Sequence, residues 1–543
     1  MPAPSPGQLF SRIVDVWLAA LVHLDALRSN PPAYLTAARW WIKRRRVRAR
    51  GQLAPLLGRS PRAYRLWMRR QRRRHPALVS PPAPPPIVAL IDLHAPHGPR
   101  DLAATYASLA ADGVGALAIG SAATPTLAAA LAQIDWSGAP WLLPLAPGDR
   151  IALGTAAVYR AAMMPETGPG PRLLYADDDL LSGRRRHSPH FKPDWNGELF
   201  AHADYLTGAC LIRATHADLA AVADGPDWAA RLTAIVAGEG TPVHLREILH
   251  HRRARPAPRL PAAPLALARD LPPVSIIVPT RNRVDLLRTC IDGVAAAHYP
   301  NVEIIVVDND SDDPATLAYL AALHPTRHRV LRHAGVFNYS AINNRAVAVA
   351  RGRLLCLLNN DIETIDPHWL ATLATQALRA EVGAVGARLV YPDGRIQHAG
   401  VVLGVGNAAG HAHRFVDPQE EGYFYRHSLP QFVTAVTGAC LVVERQKFQA
   451  VGGLDEVEFP VAFNDVDLCL RLNQQGWQSF YEPRATLIHH ESVSRGQDVD
   501  PAGAARFASE LAALKRRWGT DMLYDPYHHP CLSRASERFA VAL

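Results

Sequence analysis

The sequence lacks the features that mark several protein classes. It contains no uninterrupted apolar run of about 18 residues, the length a membrane-spanning helix requires. The most hydrophobic N-terminal stretch, IVDVWLAALVHLDAL, is broken by Asp15, His23 and Asp25. Neither a signal peptide nor a membrane span is expected. Six cysteines lie far apart with no CxxC pair, which argues against a zinc knuckle or a disulfide framework and fits a reducing cytoplasm. No GxGxxG follows the first strand of the second half and no GxxxxGK[ST] occurs anywhere, so the dinucleotide fingerprint and the phosphate-cradling loop are both missing. Acidic residues are absent from Ala26 to Ile91, against 16 Lys and Arg in the same span. The chain as a whole carries a formal charge of +9, so the remainder is net acidic and the basic balance belongs to one N-terminal region. Its densest clusters are WWIKRRRVRAR and RLWMRRQRRR. Three readings fit them: a solvated helical face, attraction of residues 26–75 to an anionic membrane surface, and nucleic acid. The last is disfavoured because no aromatic-and-glycine recognition motif accompanies the charge.

What is present begins with a repetition. TGACL occurs at Thr207–Leu211 and again at Thr437–Leu441, and its flanks repeat in the same order. DWAARL answers DLCLRL, and LREILHHRR answers PRATLIHHES, as a duplicated domain requires. Two proline-rich stretches, SPPAPPP and RPAPRLPAAPLALARDLPP, read as linkers. The expected organisation is a basic helical region (1–86), a first globular domain (87–253), a linker (254–273), a second globular domain (274–497), and a C-terminal helix and tail (498–543).

In the second domain VSIIVPTRNR, NVEIIVVDNDSDD and RGRLLCLLNNDIE are continuous apolar runs separated by helix-like segments. That is the pattern of parallel strands buried on both faces, whose ligands sit beyond the carboxyl ends of the strands. Thr280–Asn282, Asp308–Asp310 and Asn359–Asp361 fall at those ends. Without a phosphate loop, a divalent cation held by carboxylate oxygen is the remaining way to bridge a diphosphate, and Asp361 is placed to hold it.

The motifs VSIIVPTRN, IIVVDNDS, FNYSAINNRA, LLNND, QHAGVV, TGACL, GGLDE, FNDVDLCLR and HHESVSRG, in this order, resemble the inverting glycosyltransferases of family 2. The resemblance covers Pro273 to about Gly496. It is strongest to tandem-domain members associated with O-antigen and other bacterial surface polysaccharides, many of them rhamnosyltransferases. It implies an α/β GT-A nucleotide-sugar fold, a mostly parallel sheet with helices on both faces, present twice with the first copy degenerate. It further implies a nucleoside-diphosphate sugar as donor, Mn²⁺ or Mg²⁺ as cofactor, and a glycan or lipid-linked glycan as acceptor. The enzyme would be cytoplasmic and peripheral on the inner face of the plasma membrane.

The resemblance assigns Asp308 to the imide N–H of the base. It places Thr280, Asn282, Asn309, Asp310, Asn343 and Asn360 around the donor, and Asp361 with His489 or His490, the former favoured, at the metal. Asp465 becomes the general base, and His398, Asp467 and His490 the acceptor side, with His411 and His413 nearby. Two departures stand out: an Asn opens the Asp-x-Asp motif, and Asn464 replaces the usual acid before Asp465. In the first domain WLLPLAPGDR takes the place of LLCLLNNDIE, so Asp149 is the acid left of the metal strand. Gly120 and Gly225 replace Asp308 and Asp465, and Asp177–Asp179 fall on the counterpart of the turn YPDG. A non-catalytic carbohydrate-binding or scaffolding protein built from two decayed folds is the rival reading.

Overall fold

A computed structural model describes residues 6–71, 85–163, 170–222, 227–261, 264–490 and 501–543. Expectations resting on residues 72–75, 80–84, 225 and 491–496 lie outside the described residues. The chain forms two compact units. The first comprises Met1–Pro258 with His529–Leu532 and Ala540–Leu543, and the second Arg259–His528 with Ser533–Phe539.

In the second unit VSIIVPT becomes the strand Val274–Thr280, buried along all seven residues. A strand covered on both faces must be apolar on both, which is why no alternation shows in its sequence. The helix that follows, Val284–Ala295, buries Leu287, Cys290, Ile291 and Val294, one stripe at helical spacing. Among the described residues this unit holds a ten-stranded sheet. Its main path runs His328–Arg332, Val302–Asp308, Val274–Thr280, Leu354–Leu358, Cys440–Glu444, Val382–Val390, Gln478–His489, Ile362–Thr364. The first four are parallel neighbours. Cys440–Glu444 runs antiparallel to both its neighbours, and Val382–Val390 is parallel to Gln478–His489.

The first unit repeats this path from its second strand onward. Its order is Gly115–Ile119, Ile87–Asp92, Trp141–Leu145, Cys210–Ile212, Leu173–Ser182, Val243–Arg252, Arg150–Ile151, with the same parallel and antiparallel senses. The strand His328–Arg332 has no counterpart among its described residues. The expected mixed α/β architecture is therefore present twice, and TGACL precedes or opens the equivalent strands Cys210–Ile212 and Cys440–Glu444. Four helices, Pro6–Ser29, Pro31–Ile42, Arg46–Gly58 and Ala63–Gln71, also belong to the first unit.

The three acids Asp177–Asp179 correct the expectation of a turn. The strand Leu173–Ser182 runs straight through them, and each is fully buried. The sheet continues there because each carboxylate meets a cation or imidazole. Asp177 meets His244 and His529, Asp178 meets Lys192, Arg252 and Arg255, and Asp179 meets Arg186 and His251. Burial alone would push the Asp178 carboxyl up, but Lys192, Arg255 and Arg252 together hold it well below the usual carboxylate range.

The closest backbone approach in the second unit is at Gly352, whose amide donates to Ser275 Oγ at 2.8 Å. A Cβ there would lie 2.4 Å from the Ser275 amide nitrogen and 2.7 Å from the Leu354 carbonyl oxygen. These are backbone atoms that cannot turn aside. Gly352→Ala is expected to destabilise the protein by about 1–3 kcal/mol, read as a lower denaturant midpoint; an unchanged midpoint would mean the two segments have room to separate.

Candidate functional site

The carboxyl ends of the parallel strands gather most of the expected donor residues on adjoining loops of the second unit. Thr280 Oγ1 accepts from Asn360 Nδ2 at 3.0 Å, tying two of these loops together. Asn282, at φ +55°, ties a third: its Oδ1 accepts from the amides of Asp312 and Asp313 and its Nδ2 donates to Asp312. Asn309 spends its amide group on the carbonyls of His333 and Gly335, while its buried Oδ1 has no hydrogen-bond partner. Asp310 accepts from the Gly335 amide at 2.7 Å.

Asp308 ends its strand buried, accepting from the Ser311 amide at 3.0 Å and from Arg332 at 2.5 Å. The Arg332 side chain is 54 % exposed. The guanidinium approaches the buried carboxylate from the solvent side.

Two of the donor and metal expectations meet in one feature. Ile362 pairs with His489 across an antiparallel ladder, and the His490 amide donates to the Asp361 carbonyl. Asp361 Oδ1 and His489 Nε2 are thereby set 3.1 Å apart. His489 Nδ1 lies 2.7 Å from Gln397 Oε1. A carbonyl oxygen only accepts, so Nδ1 carries the proton and Nε2 presents a lone pair. The two facing atoms are then both acceptors, and Asp361 Oδ1 is buried without a hydrogen-bond partner. A divalent cation fits this donor set, since carboxylate oxygen and a neutral imidazole oriented from behind suit Mn²⁺ or Mg²⁺. His490 turns instead to Glu363 at 2.9 Å, and both line a hollow of about 160 Å³ that also reaches Asp361, Asp285 and Thr289.

Asp465 enters the helix Asn464–Gln474 in its first turn. Its Oδ2 accepts from the Gly438 amide at 2.8 Å and its Oδ1 from the Val466 amide at 2.8 Å. Desolvation raises its pKa above the ordinary aspartate value, and the Gly438 and Val466 amides and the Thr437 hydroxyl oppose that rise. The Gly438 carbonyl accepts from the Tyr339 hydroxyl at 2.8 Å. The second TGACL is therefore the loop that seats the Asp465 carboxylate.

Three expectations are corrected. Asp467 is fully buried, with Oδ1 accepting from Arg517 and Trp518 and Oδ2 from Arg471. It anchors the helix Pro501–Trp518 and faces no acceptor. His398 is likewise fully buried, 2.8 Å from His411, and burial holds its pKa well below the ordinary histidine value. Asn343 is fully buried on the inner face of the helix Tyr339–Val347, with Nδ2 donating to the Tyr339 carbonyl and Oδ1 without a hydrogen-bond partner. Sequence reasoning missed Gln397, Tyr339 and Arg332. Gln397 carried a readable signal: successive residues of a strand face opposite ways, so choosing His398 in the strand Ile396–His398 selected the wrong face.

In the first unit the same ladder pairs Ile151 with His250 and Arg150 with His251. Arg150, not Asp149, thus occupies the position of Asp361, because the strand register rather than residue counting sets the equivalence. Asp149 accepts from the Arg253 amide, and burial pushes its pKa up to about 6. Gly208, at φ +81°, makes room for Arg252, whose guanidinium would lie 2.7 Å from a Cβ there. Asp177, His244 and His529 bring possible ligand atoms within 4.8 Å of one another. However, His529 Nδ1 accepts from the Cys531 amide, which leaves the ring proton on Nε2 facing Asp177, and His244 bridges Asp177 and Asp194. His244 is satisfied by its two carboxylates, while Asp177 Oδ2 and His529 Nε2, 2.9 Å apart, are both buried without a hydrogen-bond partner.

Residues 275–437 match the model of Glycosyl transferase family 2. The chain is 35% identical over 432 residues to the O-antigen biosynthesis protein RfbC of Myxococcus xanthus, an alignment covering 71% of this chain and 33% of the relative. It is 42% identical over 82 residues to the N-acetylglucosaminyl-diphospho-decaprenol L-rhamnosyltransferase of Mycobacterium tuberculosis, covering 15% of this chain and 26% of that protein. The chain thus spans less than half the length of these curated relatives. A solved mannosyltransferase from Pyrobaculum calidifontis is similar with a TM-score of 0.36 at 19% identity, covering 50% of this chain and 71% of that one.

Loss of the Asp467 carboxylate would leave Arg471 facing a hole in the core. Asp467→Ala is expected to destabilise the protein by about 3 kcal/mol, seen as a fall in Tm. A variant of unaltered Tm would mean that the helix Pro501–Trp518 is not anchored through this residue.

Proposed function

We propose, on the match of residues 275–437 to the model of Glycosyl transferase family 2, that the second unit transfers a sugar from a nucleoside diphosphate to a glycan acceptor with inversion. The observation that carries the reading is the opposed pair Asp361 Oδ1, buried without a hydrogen-bond partner, and His489 Nε2, whose lone pair meets only a long 3.4 Å contact from Asn359 Nδ2, in the same unit as a carboxylate seated on a backbone amide. A divalent cation held by Asp361 and His489 would neutralise the diphosphate and stabilise it as leaving group. Asp308 accepts from the base of the nucleotide once Arg332 yields. Asp465 takes the proton from the acceptor hydroxyl as its oxygen bonds to the anomeric carbon, and the bond to the diphosphate breaks with its electron pair going to phosphate. The curated relatives named for O-antigen biosynthesis and for rhamnosyl transfer to a diphospho-decaprenol acceptor support a lipid-linked glycan in surface-polysaccharide synthesis.

The first unit is read as having kept the fold and lost the chemistry. Arg150 stands where the cation ligand would be, and Arg252, Arg255 and Lys192 fill the surroundings of Asp178 with positive charge. A second, live site is the competing view. In the double variant Asp361→Ala, Asp465→Asn, transfer by the whole chain is expected to vanish; residual cation-dependent transfer would mean the first unit is active.

Asp465→Asn is expected to keep its Tm and donor binding while transfer drops about 10²- to 10⁴-fold. The base works only when ionised and its folded pKa is raised, so transfer should fall on acidification at a pH above that of an ordinary aspartate. An acid limb at or below the usual aspartate value would count against Asp465. Gln397→Leu removes the acceptor that fixes the His489 tautomer and is expected to weaken Mn²⁺ binding roughly 10- to 100-fold. Titration with Mn²⁺ in the presence of saturating nucleoside diphosphate measures this, and unchanged affinity would place the cation elsewhere.

A further inference from the structure

We propose that the outward faces of the N-terminal helices seat the chain on an anionic lipid surface by inserting apolar side chains between headgroups, with the basic residues anchoring its edge. The helix Pro6–Ser29 buries Leu18, Val22 and Ala26 on one side, with Leu18 and Val22 packed on Leu66. On its other side Phe10, Ile13, Trp17 and Leu24 form a stripe at helical spacing, exposed by 70 %, 60 %, 60 % and 36 %. The helix Pro31–Ile42 exposes Leu35 and Ile42 by 61 % and 81 %. Exposed apolar stripes of this kind mark interaction sites rather than ordinary surface.

The acids that interrupt the first helix in the sequence do not interrupt this face. Asp15 pairs with Arg69 at 2.6 Å, and Asp25 with Arg62 and the Ser60 hydroxyl. In sequence, positive charge lies at the end of the second helix and just beyond it, at Arg39, at 43–46 (KRRR) and at Arg48 and Arg50. Arg45 and Arg48 lie over the Trp40 ring at 5.2 and 5.5 Å. Tryptophan beside Arg, with an apolar face and a basic edge, is the composition of helices that lie in the headgroup plane. No described helix is long and apolar enough to cross a membrane. A second copy of the chain is a poor occupant, because it would bring the same positive edge against this one. Phosphate headgroups complement that edge, and acyl chains complement the stripes. The inference stands apart from the transferase reading, and neither depends on the other.

The test uses the full chain and vesicles of phosphatidylcholine, alone or mixed with phosphatidylglycerol. The wild type is expected to sediment with the mixed vesicles, with a blue shift of Trp fluorescence, and to be only partly released by salt. Ile13→Glu with Trp17→Glu should abolish sedimentation at every salt concentration, since both sites are exposed and the fold is untouched. Arg39→Glu with Arg48→Glu should weaken it by at least about 30-fold, at about 1 kcal/mol for each basic residue lost near the surface, and should reduce the preference for anionic vesicles. Equal sedimentation with both vesicle types, or sedimentation indifferent to the Ile13 and Trp17 changes, would overturn the proposal. So would a vesicle-free dimer in analytical ultracentrifugation that those changes dissolve, which would give the face to a second copy.

Discussion

The candidate site depends on one short ladder, the antiparallel pairing of Ile362–Thr364 with the end of Gln478–His489. Three residues of edge strand do little for stability, yet they alone bring Asp361 and His489, 128 positions apart in sequence, to 3.1 Å. The long strand can deliver His489 because it is locked beside Val382–Val390 along most of its length. That strand in turn ends near Ile396–His398, which supplies Gln397 behind the imidazole. Position, tautomer and ligand geometry thus share one cause, the register of the sheet. A one-residue slip would turn His489 to the other face.

The same register operates in the first unit, and there it yields a different result from the same architecture. Where the second unit sets two acceptors, Asp361 Oδ1 and His489 Nε2, face to face, the first sets Arg150 against His251 and surrounds Asp178 with three cations. TGACL persists in both because the loop has to pass close to another chain segment. In one case its glycine clears the Arg252 guanidinium, and in the other its amide holds Asp465. Repeated spelling therefore reports shared scaffold, and only the groups each glycine faces report chemistry.

Much of this was legible in the sequence. Continuous apolar runs gave the parallel strands, and the ordered repeats around TGACL gave the duplication, because burial on both faces leaves a one-dimensional signature. Asp308, Asp361 and Asp465, with His489 or His490, are expected from the family resemblance, and the structure sets Asp361 beside His489 rather than His490. Residues whose role depends on which face of an element they occupy could not be assigned in that way. Asp467 and Asn343 look like Asp465 and Asn360 in composition, yet one is fully taken up by Arg471, Arg517 and Trp518 and the other lies on the inner face of its helix. The Asp177–Asp179 triplet misled for a related reason. Acids are common in turns, and the strand that contains them is held by side chains supplied from as far away as His529.

The asparagine that replaces the first acid in Asn359-Asn360-Asp361 shapes how such a site would operate on the proposed reading. One carboxylate and one neutral imidazole present a single negative charge to a doubly charged ion, and Asn360 is already engaged with Thr280. Protein ligands alone then leave the cation's charge and coordination incomplete, as is usual where phosphate supplies the rest. Diphosphate oxygens would provide both, so each partner would raise the affinity for the other by the same factor. A site built this way would hold little metal without its donor, and the loss of an acid from the motif would tie cation capture to substrate binding rather than abolish it.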